Sequence, residues 1–174
     1  MPLRGDAFRR VADSLRYRRD PIAFARDKLG FVPDPWQAEL MGTTAPNGIA
    51  CCSRQVGKSF ATAGKATHVA VYEPGSLILA ISPSIRQTRE LFGKISSNLS
   101  RLDPAIELIE DNRLSCQLEN ESRIVCLPAD SGTIRGFSAP RLIIIDEAAF
   151  VGDDVYDTLR PMMAVSQGQM ILLS

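Results

Sequence analysis

The segment Ser53-Arg-Gln-Val-Gly-Lys-Ser59 limits what this chain can fold into more than any other stretch, because of what flanks it. Gly48-Ile-Ala-Cys-Cys52 precedes it, a small apolar run suited to a strand covered on both faces. An Ala/Thr-rich stretch from Lys58 to Val71 follows and predicts a long helix. A tight turn from a buried strand into a helix aims successive backbone N–H groups at one point, at the positive end of the helix. Phosphate chemistry suits that point. Lys58 is long enough to reach the β- and γ-phosphates of a nucleotide, the Ser59 hydroxyl is a hard ligand for Mg²⁺, and Gly57 leaves room for close approach. Against the pattern G-x-x-x-x-G-K-[ST], Cys52 stands where the first glycine belongs. A helix start that carries Gly-Lys-Ser by chance is the plain alternative.

The rest of the chain repeats the strand-helix alternation. Ser76 to Ser82 reads as a second buried strand, and a polar-apolar helix follows Pro83 to about Leu99. This βαβα order argues for a largely parallel sheet with right-handed crossovers. Arg113 to Leu118 and Ser122 to Leu127 alternate in polarity around Glu119-Asn120-Glu121, which predicts a β-hairpin. Arg141 to Ile145 and Gln169 to Leu173 read as further buried strands, with a helix from about Asp154 to Ala164 between them. Upstream, Asp6 to Leu29 predicts two short amphipathic helices broken at Pro21; a Pro-rich link then leads to Trp36-Gln37 and a helix ending near Gly42. These divisions set residues 1–32 apart as a helical extension and 33–174 as the α/β domain.

A second chemical signal is Leu142-Ile-Ile-Ile-Asp-Glu147, an apolar strand ending in two carboxylates. With Lys58 and Ser59 upstream, a strand beside the phosphate loop would let Asp146 hold a Mg²⁺ coordination shell and Glu147 orient an attacking water. The plainer use of such a pair is as helix cap and first-turn acid. A coincidence of the two motifs survives only if they lie apart in space.

Composition narrows the classes. The chain has 174 residues, with 20 Lys plus Arg balanced by 20 Asp plus Glu, so any contact with nucleic acid must be local rather than carried by net charge. The arginines of the first 26 residues are interleaved with Asp6, Asp13, Asp20 and Asp27, which favours a solvated face or a lid over a nucleotide above a DNA-binding patch. Cys51, Cys52, Cys116 and Cys126 lack metal-site spacing and read as free thiols of a reducing compartment. The lone histidine, His68, has no ligand-like neighbours and reads as structural. The longest apolar runs are too short to span a bilayer, and a soluble intracellular protein is expected.

The loop Ser53 to Ser59, with Arg-Gln where most phosphate loops carry small residues, resembles the deviant Walker A of viral terminase large subunits, the ATPases that pump DNA into capsids. Asp34-Pro-Trp-Gln37 is similar to that family's adenine-contacting segment, with a buried Trp and a capping Gln as the plain alternative, and Ser82-Pro-Ser-Ile-Arg-Gln-Thr-Arg-Glu90 to the element after its second strand, with a helix cap as its alternative. Thr133-Ile-Arg-Gly136 resembles its Arg-Gly element, and Ile171-Leu-Leu-Ser174 the start of its motor-coupling motif. The resemblance runs from about Pro33 to Ser174.

It implies a RecA-like, additional-strand P-loop NTPase fold: a mainly parallel sheet flanked by helices, with a β-hairpin insertion, incomplete at the C-terminus and without the family's nuclease. It implies ATP and Mg²⁺ as ligands. Nucleotide would be held by Trp36, Gln37, Ser53, Arg54, Gln55, Val56, Gly57, Lys58 and Ser59, and metal by Ser59 and Asp146. Glu147 would be the catalytic carboxylate, with Arg54 in cis or Arg135 in trans neutralising charge on the transferred phosphoryl group. Double-stranded DNA, a capsid portal, a small terminase subunit and a homo-oligomeric ring are the implied partners, in the cytoplasm of an infected host cell. The rival readings are a helicase-like DNA translocase and a fragment that binds ATP without turnover.

Overall fold

A computed structural model describes residues 3–53, 55–102 and 106–174, with side chains from residue 11 onward. One seven-stranded sheet organises them, in the order β1-β7-β6-β2-β5-β4-β3. Its strands are β1 (Asn47–Ala50), β2 (Leu77–Ser82), β3 (Leu108–Asp111), β4 (Ser115–Leu118), β5 (Arg123–Pro128), β6 (Leu142–Ile145) and β7 (Gln169–Leu173). The run from β1 to β5 is parallel throughout, and β4 and β3 extend it antiparallel.

The middle strands explain this order. In β2 and β6 nearly every side chain is buried, as a parallel strand covered on both faces requires. Alternate residues face opposite layers. Ile78, Ala80, Leu142 and Ile144 join one core with α2 (Pro21–Lys28), α3 (Pro35–Gly42), α4 (Lys58–Tyr72) and α5 (Ile85–Ser100). Leu79, Ile81, Ile143 and Ile145 join a second core under α6 (Ser131–Ile134) and α7 (Asp153–Ser166). Each fully buried Ile or Leu contributes about 1.5–3 kcal/mol relative to exposure, so the two faces of these strands anchor the fold.

Several expectations need correction. β1 is an outer strand, not one covered on both faces: it pairs only with β7, and Ile49 is 75% exposed. The strand beside β1 is β7, which separates it from β6; the Asp-Glu strand is therefore one place further from the loop than expected. That order is the extra strand of the additional-strand class. The hairpin is present as β4–β5, turning at Glu121 (φ 68), but β5 also pairs with β2, so it is built into the sheet. Sequence reading missed β3, four residues with an irregular register and exposed side chains.

α1 (Leu3–Arg19) and α2 meet at Asp20, whose carboxylate accepts hydrogen bonds from the Ile22 and Ala23 N–H groups and caps α2. Of the apolar face expected of the first helix, Phe8 lies outside the described side chains and the described part is not buried. Val11 and Leu15 are exposed, and burial passes to Tyr17, Phe24 and Ala25. Phe24 stacks edge-on to His68 and Tyr72, and His68 Nε2 bonds the Tyr17 carbonyl oxygen at 2.8 Å. His68 is structural. The described part of this extension runs along α4: Tyr17 and Phe24 meet its second half, and Phe31 packs on Phe60 in its first turn, ring centroids 5.5 Å apart.

Candidate functional site

β1 ends at Ala50 and α4 begins at Lys58, so the intervening loop opens at the edge where the parallel strands finish. The ladder continues past β1: the Cys52 N–H donates to the Ser174 carbonyl at 2.8 Å and the Ser174 N–H to that of Ala50 at 3.0 Å. Among the described residues of the loop, Gln55 (φ 66) and Gly57 (φ 86) are left-handed. Gly57 is required for a second reason as well. A Cβ there would lie 2.6 Å from Gln37 Nε2.

Gln37 is 4% exposed and pins the loop. Its Oε1 accepts from the Asp34 N–H at 2.8 Å, completing a capping box on α3, and its Nε2 donates to the Val56 carbonyl at 3.0 Å. The amide expected to meet an adenine edge is thus already bonded at both ends to protein. Trp36 is half-buried and packs on the core beneath. Ser53 and Gln55 are exposed, and Val56, Gly57 and Ser59 are half-buried. Arg54 lies outside the described residues.

Lys58 links the two motifs. Its Nζ donates to the Cys52 carbonyl at 3.2 Å, spanning the loop, and lies 3.9 Å from Glu147 Oε1. The Gly-Lys-Ser turn and the Asp-Glu strand end are neighbours in space, the arrangement that a shared site requires. Asp146 follows β6 and is 7% exposed. Its N–H extends the ladder to the Ile81 carbonyl at 2.8 Å, and its Oδ1 accepts from the Glu147 N–H at 3.1 Å. Burial first, and the Glu147 charge second, push the Asp146 carboxyl above its ordinary pKa. Glu147 takes a left-handed backbone (φ 50, ψ 47) as the chain turns into the 3-10 segment Ala148–Phe150. Strain of this kind in a non-glycine residue, of order 1–3 kcal/mol, is typical of functional turns.

Sequence reading passed over Ser82 as a site residue. It closes β2, one strand from Asp146 and on the same face, and its hydroxyl is fully buried with no hydrogen-bond partner among the described residues. Its signal was a lone polar residue ending an apolar strand. A buried hydroxyl without a partner beside a buried carboxylate fits a hydrated cation, whose waters donate hydrogen bonds to both. Among the described residues no cluster of three or more His, Cys, Asp or Glu could hold a metal. Mg²⁺ held through one or two protein oxygens, phosphates and water needs no such cluster.

Arg135 stands apart from this group. It caps the C-terminus of α6 on the opposite face of the sheet, exposed and with no ion pair among the described residues. It borders a shallow groove with Phe137, Pro161, Met162 and Val165.

Among known families, the model described as "Terminase large subunit, T4likevirus-type, N-terminal" matches residues 49–168, well over half of the chain. The terminase large subunit of Thermus virus P23-45 is 29% identical over 165 residues, covering 84% of this chain and 34% of that protein. The chain therefore spans about a third of the length of this curated relative. The large terminase ATPase domain of Thermus phage P74-26 superposes with a TM-score of 0.80 at 25% identity, over 89% of this chain and 69% of that one. The HK97 bacteriophage large terminase gives 0.73 at 18% identity, over 90% and 37%, a likeness of fold alone. The fold is the RecA-like one that the resemblance implied. On the match across residues 49–168, this chain belongs to the terminase large-subunit family and represents part of its N-terminal domain.

Proposed function

We propose that this chain is a Mg²⁺-dependent ATP hydrolase module of a phage DNA-packaging motor. The observation that carries the reading is the approach of Lys58 Nζ to Glu147 Oε1, 3.9 Å, at the mouth of a glycine-dependent loop. Two groups of opposite charge, far apart in sequence, converge where a γ-phosphate would meet its attacking water.

In this reading the loop N–H groups from Ser53 to Ser59, Arg54 included, and the N-terminus of α4 bind the phosphate chain. Trp36 and Gln37 border the base, Gln37 chiefly by holding Val56 and the loop in place. Ser59 and Asp146 would hold Mg²⁺, with Ser82 beside them, and the metal would supply charge neutralisation on the phosphates. Phosphate competes with Glu147 for Lys58. Once Lys58 turns to the phosphate, the Glu147 carboxylate is released to orient water, which couples binding to activation. An arginine neutralises the developing charge, from Arg54 in cis or from Arg135 of an adjoining copy in a ring. The exposure of Arg135 on the face away from Lys58 favours the second arrangement. Double-stranded DNA, a portal and a small terminase subunit are the partners proposed on family grounds, within the infected cell.

Phosphate release from ATP, with and without Mg²⁺, tests the reading. We expect metal-dependent turnover that Lys58→Ala and Glu147→Gln each reduce by at least 100-fold, on the order of the effect of removing one transition-state group. Turnover that survives both substitutions would refute the assignment.

A further inference from the structure

A second basic pocket lies at the opposite edge of the sheet, where the strands begin. Arg141 immediately precedes β6, Gln169 opens β7, and Glu73 follows α4. The distance along α4 from Lys58 to Glu73 is roughly 20 Å at ~1.5 Å per residue, so this pocket is separate from the candidate nucleotide site.

Its charge is one-sided. Arg18, Arg19, Lys65 and Arg141 line it against a single carboxylate, Glu73, which Arg141 already engages as an ion pair. In a chain whose formal net charge is zero, that is a local cationic excess. Of the nearby acids, Asp20 is felt at His68 but pairs with neither Arg18 nor Arg19 among the described residues. Asp20 is committed to the α2 N-cap, and Asp27 to Arg16 and Arg26, whereas Arg18 and Arg19 have no ion pair among the described residues. Lys65 is 4% exposed and donates to the Met41 and Thr43 carbonyls at 3.0 and 2.8 Å. An ammonium has three protons, so one donor remains. Burial lowers its pKa to about 8, with Glu73 opposing the shift and Arg141 adding to it. His68 adds no charge there: burial lowers its pKa, and its Nε2 is engaged by Tyr17.

The cavity measures about 170 Å³. At ~30 Å³ per water in the liquid, it admits a tetrahedral oxyanion with part of its hydration. Two guanidinium forks at the rim and an ammonium in the wall are the groups that grip such an anion best.

We propose that this pocket binds a phosphate-type oxyanion, presented either as free phosphate or on a nucleic-acid backbone. The inference does not depend on the nucleotide reading. The experiment is calorimetric titration at constant ionic strength on Lys58→Ala protein, which weakens the other phosphate site, with inorganic phosphate in one arm and a short DNA duplex in the other. Arg18→Gln/Arg19→Gln, added to that background, changes exposed side chains and leaves the core intact. The expected result is saturable binding of one ligand or both, weakened at least ten-fold by the double substitution and again by Lys65→Met. Loss confined to the phosphate arm identifies a free anion, and loss in the duplex arm identifies a backbone phosphate. No saturable binding in either arm, or binding indifferent to the double substitution in protein whose melting is unchanged, overturns the proposal.

Discussion

At the residue scale, the decisive positions are those where one side chain serves two motifs. Lys58 was legible because Gly-Lys-Ser opens a helix after an apolar run, and Asp146 and Glu147 because two carboxylates end a strand otherwise wholly apolar. Gln37 was legible as an adenine contact or a capping glutamine, and its capping bond to Asp34 spans only three positions. Its bond to Val56 joins segments nineteen positions apart, and no local pattern encodes that. Arg135 was read from its glycine-flanked position, but which face of the sheet it occupies depends on how the chain runs between β5 and β6. Gly57 condenses the argument. A side chain there faces a left-handed φ of 86 and the Gln37 amide 2.6 Å from its Cβ. Gly57→Ala should cost about 1–2 kcal/mol in backbone strain, expel Gln37 from the loop, and weaken ATP binding far more than it lowers the melting temperature. Melting and nucleotide titration on the same sample check this; unimpaired binding would mean that loop geometry is not the determinant.

At the scale of elements, hydrophobic pattern was enough wherever an element is covered on a defined face. β2, β6, α4 and α5 appear close to their expected limits because runs such as Leu-Ile-Leu-Ala-Ile tolerate no other environment. β1 and β3 departed from expectation for a shared reason: both lie at sheet edges, and Gly-Ile-Ala reads alike at an edge and in the middle. The contact between α3 and α4 was illegible in the same way, since Lys65 in an Ala/Thr-rich helix looks like a solvated charge. It instead closes the C-terminal end of α3 through two carbonyls. Its pKa falls from 10.5 to about 8 through burial. Between these values the unfolded chain holds a proton that the folded chain has released, so the stability contributed at this site rises with pH across that window. Below about 8 the full penalty of burying the charge is present. Wild-type protein should therefore gain stability relative to Lys65→Met between pH 7.5 and pH 10, in denaturant titrations of both forms; a gap moving against wild type would contradict the burial account.

At the scale of the molecule, the sheet separates tasks by edge and by face. The loop, Asp146, Glu147 and Ser82 gather where the parallel strands end, the cationic pocket lies where they begin, and Arg135 sits under the second layer. α4 spans the first two regions as a single 15-residue helix. The extra strand β7 lies between the loop strand and the Asp-Glu strand, yet Lys58 and Glu147 still meet. That meeting is the central claim, and equilibrium binding of ATP tests it most directly, measured with and without Mg²⁺ on the wild-type chain, Lys58→Ala and Glu147→Gln. The account predicts Mg²⁺-strengthened binding, lost by at least ten-fold in Lys58→Ala and kept or tightened in Glu147→Gln, where the competing carboxylate charge is gone. A folded wild-type chain that binds no ATP, or a Lys58→Ala chain that binds as well as wild type, would contradict it.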